Sequence, residues 1–179
     1  MTRDELIEMI RATDPVGAAA SLSLDLDEPV TWTRNPRPGG LIDDGAIEGR
    51  VEDHRRAHES GLPSEATVLY GTAVPAEATA DRLLELAELQ AGSGKLRAVC
   101  PVPADGSPGS WGVQDLAVIA ACRHALPGVV WVRPSWERLG ASLCQVAVAF
   151  GANDWVLPEG DRTDPAHLAA AVGRRAVER

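Results

Sequence analysis

The chain has 179 residues, with 17 basic and 26 acidic side chains and a formal net charge of −9. This length is enough for a domain with a sizeable core, and the apolar fraction of 45% is typical of a globular protein. The acidic balance argues against nonspecific nucleic-acid binding, which needs clustered Lys and Arg. No apolar run is long enough to span a membrane, and the start Met1–Glu5 is acidic where a secretion signal is basic. We therefore expect a cytoplasmic protein with neither nucleic-acid nor membrane partners.

The first 44 residues contain few clear elements. Apolar residues at helical spacing predict a helix over Arg3–Ala12, with a capping box that begins at Thr2. Pro29–Thr33 is predicted as a short strand, and the breaker-rich Asn35–Gly40 as a loop. The alternation of polar and apolar residues in Ser21–Asp27 is typical of a half-buried strand, although an exposed edge strand or a partner-binding strand has the same pattern.

Helices and strands alternate regularly from residue 44 onward. The predicted helices are Ala46–Ser60, Ala76–Gln90, Val113–Ala125, Ser135–Phe150 and Pro165–Val177. The predicted strands are Ala66–Tyr70, Leu96–Cys100, Val129–Val132 and Asp154–Leu157. Short apolar strands without alternation are typical of a parallel sheet with both faces covered. The sequence therefore predicts an α/β fold, either a half TIM-type βα barrel or an open parallel sheet of about 4–5 strands flanked by helices.

Three blocks of sequence resemble one known family. Residues 55–71 read R-R-A-H-E-S-G-L-P-S-E-A-T-V-L-Y-G, residues 82–90 read R-L-L-E-L-A-E-L-Q, and residues 143–154 read L-C-Q-V-A-V-A-F-G-A-N-D. They resemble, in order and approximate spacing, the radical-SAM aminofutalosine synthases and dehypoxanthine futalosine cyclases of menaquinone synthesis and their deazaflavin-forming relatives. The resemblance covers residues 45–157 and implies the C-terminal half of a radical-SAM barrel, with strands five to eight.

The chain departs from this family at its reactive centre. The family has a C-x-x-x-C-x-x-C motif that holds a [4Fe–4S] cluster and S-adenosylmethionine, whereas Cys100, Cys122 and Cys144 are 22 residues apart in apolar settings. The family's His after L-Y-G is Thr72, and its N-D-x-x-G-T segment is Asn153–Pro158. We therefore expect no iron–sulfur cluster, no metal, no other cofactor and no radical chemistry. We expect one domain over residues 1–179, with a divergent segment 1–44 and a barrel-like half 45–179.

The candidate ligand site lies at the carboxyl ends of the strands, where parallel α/β sheets bind ligands. The predicted ligand-binding residues are Tyr70, Thr72, Asp105, Arg133, Trp136 and Glu159. Arg133 could bind a carboxylate or phosphate, and Asp105 or Glu159 could act as a base. The alternative interpretation makes the two aromatic residues part of the core and the charged residues loop caps. His54 and His58 have a metal-compatible spacing without a third ligand, so we expect them to pack or to be solvated.

A half barrel leaves sheet edges and an inner face uncovered. Self-association, a separate partner or the first 40 or so residues could cover them; we expect a homo-oligomer or a partner that covers the open sheet, and a small-molecule ligand is possible. The missing cluster motif favours a non-catalytic binding, accessory or structural protein. The alternative is a small-molecule enzyme that uses acid–base chemistry at the carboxyl ends of the strands, for which the resemblance implies a link to menaquinone-type metabolism. Whether the chain is an enzyme stays open at this point.

Overall fold

The computed structural model describes residues 1–25, 27–34, 42–43, 50–104 and 112–179. The helices are α1 (Arg3–Ile10), α2 (Pro15–Ala19), α3 (Val51–Glu59), α4 (Ala76–Ser93), α5 (Val113–Ala125), α6 (Trp136–Val146) and α7 (Pro165–Ala171), with a 3₁₀ helix at Ala147–Phe150. The strands are β1 (Val30–Arg34), β2 (Ile42–Asp43), β3 (Ser64–Tyr70), β4 (Leu96–Pro103), β5 (Trp131–Val132), β6 (Asp154–Leu157) and β7 (Ala176–Glu178).

All strand pairs in the described residues are parallel. One sheet has the order β2-β3-β4-β5 and the other has the order β6-β1-β7. Helices flank both sheets, so the predicted α/β fold with parallel strands is confirmed, and this arrangement is consistent with a partial α/β barrel. None of the helices within the described ranges is long and apolar enough to cross a membrane.

Asn153 joins the two sheets. Its backbone N–H donates to the Val132 carbonyl at 3.1 Å, and its side-chain oxygen accepts the Val132 N–H at 2.9 Å. Its side-chain nitrogen also donates to the Val130 carbonyl at 2.8 Å. One side chain therefore satisfies backbone groups where β5 and β6 lack a regular strand ladder.

The core has two apolar clusters between sheet and helices. The larger cluster packs β3 and β4 against α1, α4 and α5, and the smaller packs β1 and β6 against α6 and α7. The first helix lies against α4 and α5 through its buried apolar side chains, so this part of the divergent segment extends the helical layer. The capping box predicted at Thr2 is present, since its hydroxyl accepts the Glu5 N–H.

The structure corrects the predicted end of the last helix. That helix ends at Ala171, and Gly173 adopts a left-handed conformation with φ of +71°, from which the Gly173 and Arg174 N–H groups bond back to the helix carbonyls. Residues 176–178 then form β7 beside β1. A glycine stop signal thus lay inside the predicted helix.

Three further predictions differ from the structure. Ser21–Asp27 has no strand in its described residues, because Asp25 accepts the Asp27 N–H and turns the chain there. The predicted helix Ser135–Phe150 bends at Gly140, whose φ is +74°, and finishes as a 3₁₀ turn. Strand β4 continues through Pro101 and Pro103, beyond the predicted strand end at Cys100.

Both prolines fit the strand because of where β5 ends. The Val99 carbonyl accepts the Arg133 N–H on the side of β4 that faces β5. Alternate residues of a strand direct their backbone groups to the same side, so the nitrogens of Pro101 and Pro103 also face the β5 side. Strand β5 ends at Val132, and no N–H is needed from either proline beyond it. The predicted start of the second helix at Ala46 and the loop Asn35–Gly40 lie outside the described residues; the described helix begins at Val51.

Candidate functional site on the inner face

The sheets turn one face to the helices and the other away from them. Alternation along the strands places a set of mostly polar residues on this second, inner face, among them Thr31, Glu65, Thr67, Cys100, Trp131, Arg133 and Asp154. Most are partly exposed, but Arg133 is only 8% exposed and Asp154 is completely buried. The inner face therefore combines a buried charged centre with an accessible rim.

Arg133 is the centre of a buried ion-pair network. Its Nε donates to Asp154 Oδ2 at 2.5 Å, and its Nη1 and Nη2 donate to the two oxygens of Glu65 at 2.6 and 3.1 Å. Burial disfavours the charged guanidinium, but neighbouring Cys100 and the two carboxylates outweigh it, so the pKa of Arg133 is raised above its ordinary value. The network links β3, the end of β5 and the start of β6.

Asp154 has further partners from the two ends of the chain. The Thr31 hydroxyl donates to its Oδ1 at 2.6 Å, and Arg179 donates to both of its oxygens at 2.9 Å. A fully buried carboxylate needs this many donors, because an uncompensated buried charge is costly. The strand supplied by the divergent segment is thus connected to the last matched motif through one carboxylate.

Tyr70 and Trp136, two of the predicted ligand-binding residues, lie on the helix side. Tyr70 is 1% exposed, and its hydroxyl donates to Asp115 Oδ1 at 2.6 Å; burial and the Asp115 charge raise its pKa far above the usual range. Trp136 packs edge-on against Trp155 with ring centroids 5.9 Å apart, and its indole N–H donates to Asp161 at 2.8 Å. Both aromatic side chains pack as expected from the alternative interpretation, in which they belong to the core and not to a ligand site.

The other predicted ligand-binding residues do not gather around Arg133. Thr72 and Glu159 are exposed, and Asp105 lies outside the described residues. The bidentate carboxylate contact expected for Arg133 does occur, but its partner is the chain's own Glu65. The structure therefore does not bring the six residues into one pocket within its described part, and ligand binding by them stays a prediction.

The three cysteines occupy separate environments. Cys122 lies in the larger apolar cluster and Cys144 in the smaller one, whereas Cys100 is partly exposed on the inner face with its sulfur 3.9 Å from Arg133 Nη1. Burial raises the pKa of Cys144 to about 12 and raises that of Cys122 still further. None of the three forms a disulfide within the described residues, and the two buried ones pack as small apolar side chains.

His58 fixes α3 at the amino end of β3. Its Nδ1 lies 2.7 Å from Ser93 Oγ and its Nε2 lies 2.8 Å from Ser64 Oγ. Because the Ser93 hydroxyl donates to Leu89 O, it accepts from Nδ1, and in the neutral ring Nε2 then accepts from the Ser64 hydroxyl. Burial first, then the charges of His54 and Lys95, lower the pKa of His58. His58 therefore packs in the fold and forms hydrogen bonds, in agreement with the expectation that the histidine pair packs or is solvated.

Comparison with known proteins is informative for part of the chain. No protein-family model matches it. The chain is 33% identical over 113 residues to the 5-amino-6-(D-ribitylamino)uracil–L-tyrosine 4-hydroxyphenyl transferase of Archaeoglobus fulgidus, a match that covers 58% of this chain and 33% of the relative. It is 31% identical over 120 residues to the aminodeoxyfutalosine synthase of Thermus thermophilus, covering 61% of this chain and 32% of the relative.

These relatives are radical-SAM enzymes. A transferase of the same name as the first, from Methanosarcina barkeri, is 30% identical over 118 residues, covering 58% of this chain and 31% of the relative. The resemblance read from the three sequence blocks is thereby confirmed. The chain spans about a third of the length of the curated relatives it matches.

The structure gives physical roles to residues within the matched blocks. His58 joins α3 to β3 and α4, and Gln90 joins α4 to the starts of two strands by donating to Gly128 O at 2.7 Å and accepting the Leu96 N–H at 2.9 Å. Gly151 has φ of +99°, and a Cβ there would lie 2.7 Å from Arg123. These residues build the scaffold, whereas Asp154 at the end of the last block lies in the inner-face network. Glu65 was not among the predicted site residues, although its position between residues that match the family could have indicated it.

Proposed function

We propose that this chain is a radical-SAM-like protein that does not itself hold an iron–sulfur cluster and acts as a binding or accessory protein. The environment of its cysteines carries the proposal. A [4Fe–4S] cluster needs several thiolates converging on one point. Cys122 and Cys144 are in different apolar clusters and have raised pKa values, so they are poor sources of thiolate, and Cys100 alone faces the inner side.

Anaerobic reconstitution with iron and sulfide tests this proposal. We expect iron and sulfide well below cluster stoichiometry after desalting, and the same residual content in Cys100→Ser. Colorimetric iron and sulfide assays together with visible absorbance provide the readout. One cluster per chain, lost in Cys100→Ser and retained in the matched surface variant Ser60→Ala, would overturn the proposal.

The same proposal includes a partner that covers the inner face, either a second copy or a different protein. Support comes from the partly exposed inner face and from strands β2 and β7, each of which pairs on one side only among the described strands. The bonds of Asn153 between the sheets support a single domain over residues 1–179. Three cysteines without a disulfide among the described residues support a reducing, cytoplasmic location. Light scattering after size exclusion gives the assembly mass, and a monomer at all protein concentrations would contradict self-association.

The second candidate is a small-molecule enzyme that uses acid–base chemistry at the carboxyl ends of the strands. The similarity to a transferase and to a synthase favours an enzyme. Thermal-shift screening with nucleosides, S-adenosylmethionine and sugar phosphates provides a test, with exposed Thr72→Ala and Glu159→Gln as site variants and exposed Glu137→Gln as the control. A shift lost in the site variants alone favours the enzyme. Equal behaviour of all variants argues against it.

A further inference from the structure

Trp131 is surrounded by arginines at the amino end of the inner face. The guanidinium carbons of Arg179, Arg97 and Arg133 lie 4.4, 5.3 and 6.0 Å from the centre of its ring. Each distance is within the range of a cation–π contact. Three cations thus share one partly exposed aromatic ring.

A β-bulge brings Arg97 to this position. Ser64 pairs with Leu96, but the next residue, Glu65, pairs with Ala98, so Arg97 is the extra residue of β4. Such a bulge leaves one residue unpaired, bends the strand locally and can re-aim a side chain. Because Ala98 also pairs with Trp131, the bulge places Arg97 beside the indole.

The charges around the ring do not balance. Arg133 and Arg179 are paired with Glu65 and Asp154, so three guanidinium groups face two carboxylates. Arg97 is exposed and makes no ion pair or hydrogen bond through its side chain with the part of the chain that the structure describes. The chain has 26 acidic residues and a net charge of −9, yet this spot carries excess positive charge.

Arg179 also retains donor capacity. Its Nε and Nη2 bind Asp154, whereas its Nη1 has no hydrogen bond among the described residues. An anion at this rim would meet the fork of Arg97 and the remaining donors of Arg179, with the indole of Trp131 as an apolar wall. Guanidinium donors bind carboxylate and phosphate oxygens with charge-assisted bonds.

We propose that Arg97, Trp131 and Arg179 form a binding site for the oxyanion group of a small molecule, a phosphate or a carboxylate. The site uses none of the six residues that were predicted to bind a ligand at the carboxyl ends of the strands. It therefore does not depend on either function proposed above. It also leaves the buried bonds of Arg133 intact, because the ligand uses donors that the network does not.

Calorimetric titration of the full chain at constant ionic strength tests the site, with inorganic phosphate and succinate as the two probes. We expect saturable binding of at least one probe, weakened about tenfold in Arg97→Gln, which corresponds to the loss of one charge-assisted contact. Arg138→Gln removes another exposed arginine, on α6, and should bind like the unmodified chain. Binding of phosphate alone identifies a phosphate ligand, and binding of succinate alone identifies a carboxylate.

A second variant separates binding from folding. Arg97→Lys keeps the charge but loses the fork, so it should bind with an intermediate affinity while its urea midpoint equals that of the unmodified chain. If Arg97→Gln unfolds, the test depends on Arg97→Lys alone. Weaker binding by this variant at unchanged stability would show that binding requires the guanidinium fork of Arg97. The proposal is overturned if neither probe binds saturably, or if Arg97 and Arg138 variants lose affinity equally.

Discussion

Replacing Arg133 should destabilise the fold more than replacing any exposed arginine. Arg133→Met retains the apolar stem but leaves the largely buried Glu65 without its cation, and leaves the fully buried Asp154 with Arg179 as its remaining cation. Removing one partner of a buried ion pair costs about 3–5 kcal/mol, because the remaining charge stays desolvated. Such a loss is a large part of the roughly 5–15 kcal/mol by which domains are stable. We therefore expect a strongly lowered urea midpoint.

A double-mutant cycle isolates the contact between Arg133 and Glu65. Glu65→Gln removes one charge, and the combined variant should lose less stability than the sum of the single changes, with a coupling of about 1–3 kcal/mol. Urea unfolding followed by circular dichroism gives the free energies. Arg55→Met breaks an exposed pair with Glu52 and should change nothing measurable. The reasoning is wrong if Arg133→Met costs no more than Arg55→Met, or if the cycle shows no coupling.

Two further predictions concern the scaffold. The pKa of His58 is lowered in the fold from its ordinary value of 6.5, so the unfolded chain takes up the proton first as the pH falls. Stability should therefore decrease as the pH drops below about 6.5. His58→Gln should flatten this part of the curve of urea midpoint against pH, whereas the exposed control His167→Gln should leave the curve unchanged. Gly151→Ala should lower the melting temperature more than Gly160→Ala. Both glycines have positive φ, but only a Cβ at position 151 would press against Arg123. Equal decreases in melting temperature would show that backbone strain alone accounts for the loss of stability.

Local signals in the sequence predicted much of the architecture. The bounds Val113–Ala125 and Asp154–Leu157 are the same in prediction and structure, because each element has an apolar pattern bounded by clear breakers. The predicted bounds were wrong where a neighbouring strand outweighed the local sequence pattern, or where a local stop signal was not used. Pro101 and Pro103 are strand residues because β5 is short, a fact about a neighbouring strand. The end of the last helix was missed although Gly173 marks it.

The candidate site was harder to predict than the fold. Tyr70 and Arg133 both lie near carboxyl ends of predicted strands, yet one faces the helices and the other the inner face. The residues that surround Arg133 come from β3, β6 and the final residue Arg179. No spacing along the chain indicates contacts between positions 65, 133, 154 and 179, so the network could not be read from motifs.

The sequence by itself determined the alternation of helices and parallel strands and the resemblance to radical-SAM enzymes, since both depend on local patterns and on blocks of matched residues. Only the tertiary structure decided that β1 and β7 extend the sheet beside β6. It alone showed that the fork of Arg133 is occupied by Glu65 and Asp154, and that a bulge aims Arg97 at Trp131. The physical reason is that strand pairing and burial of charge depend on distances between segments far apart in the chain.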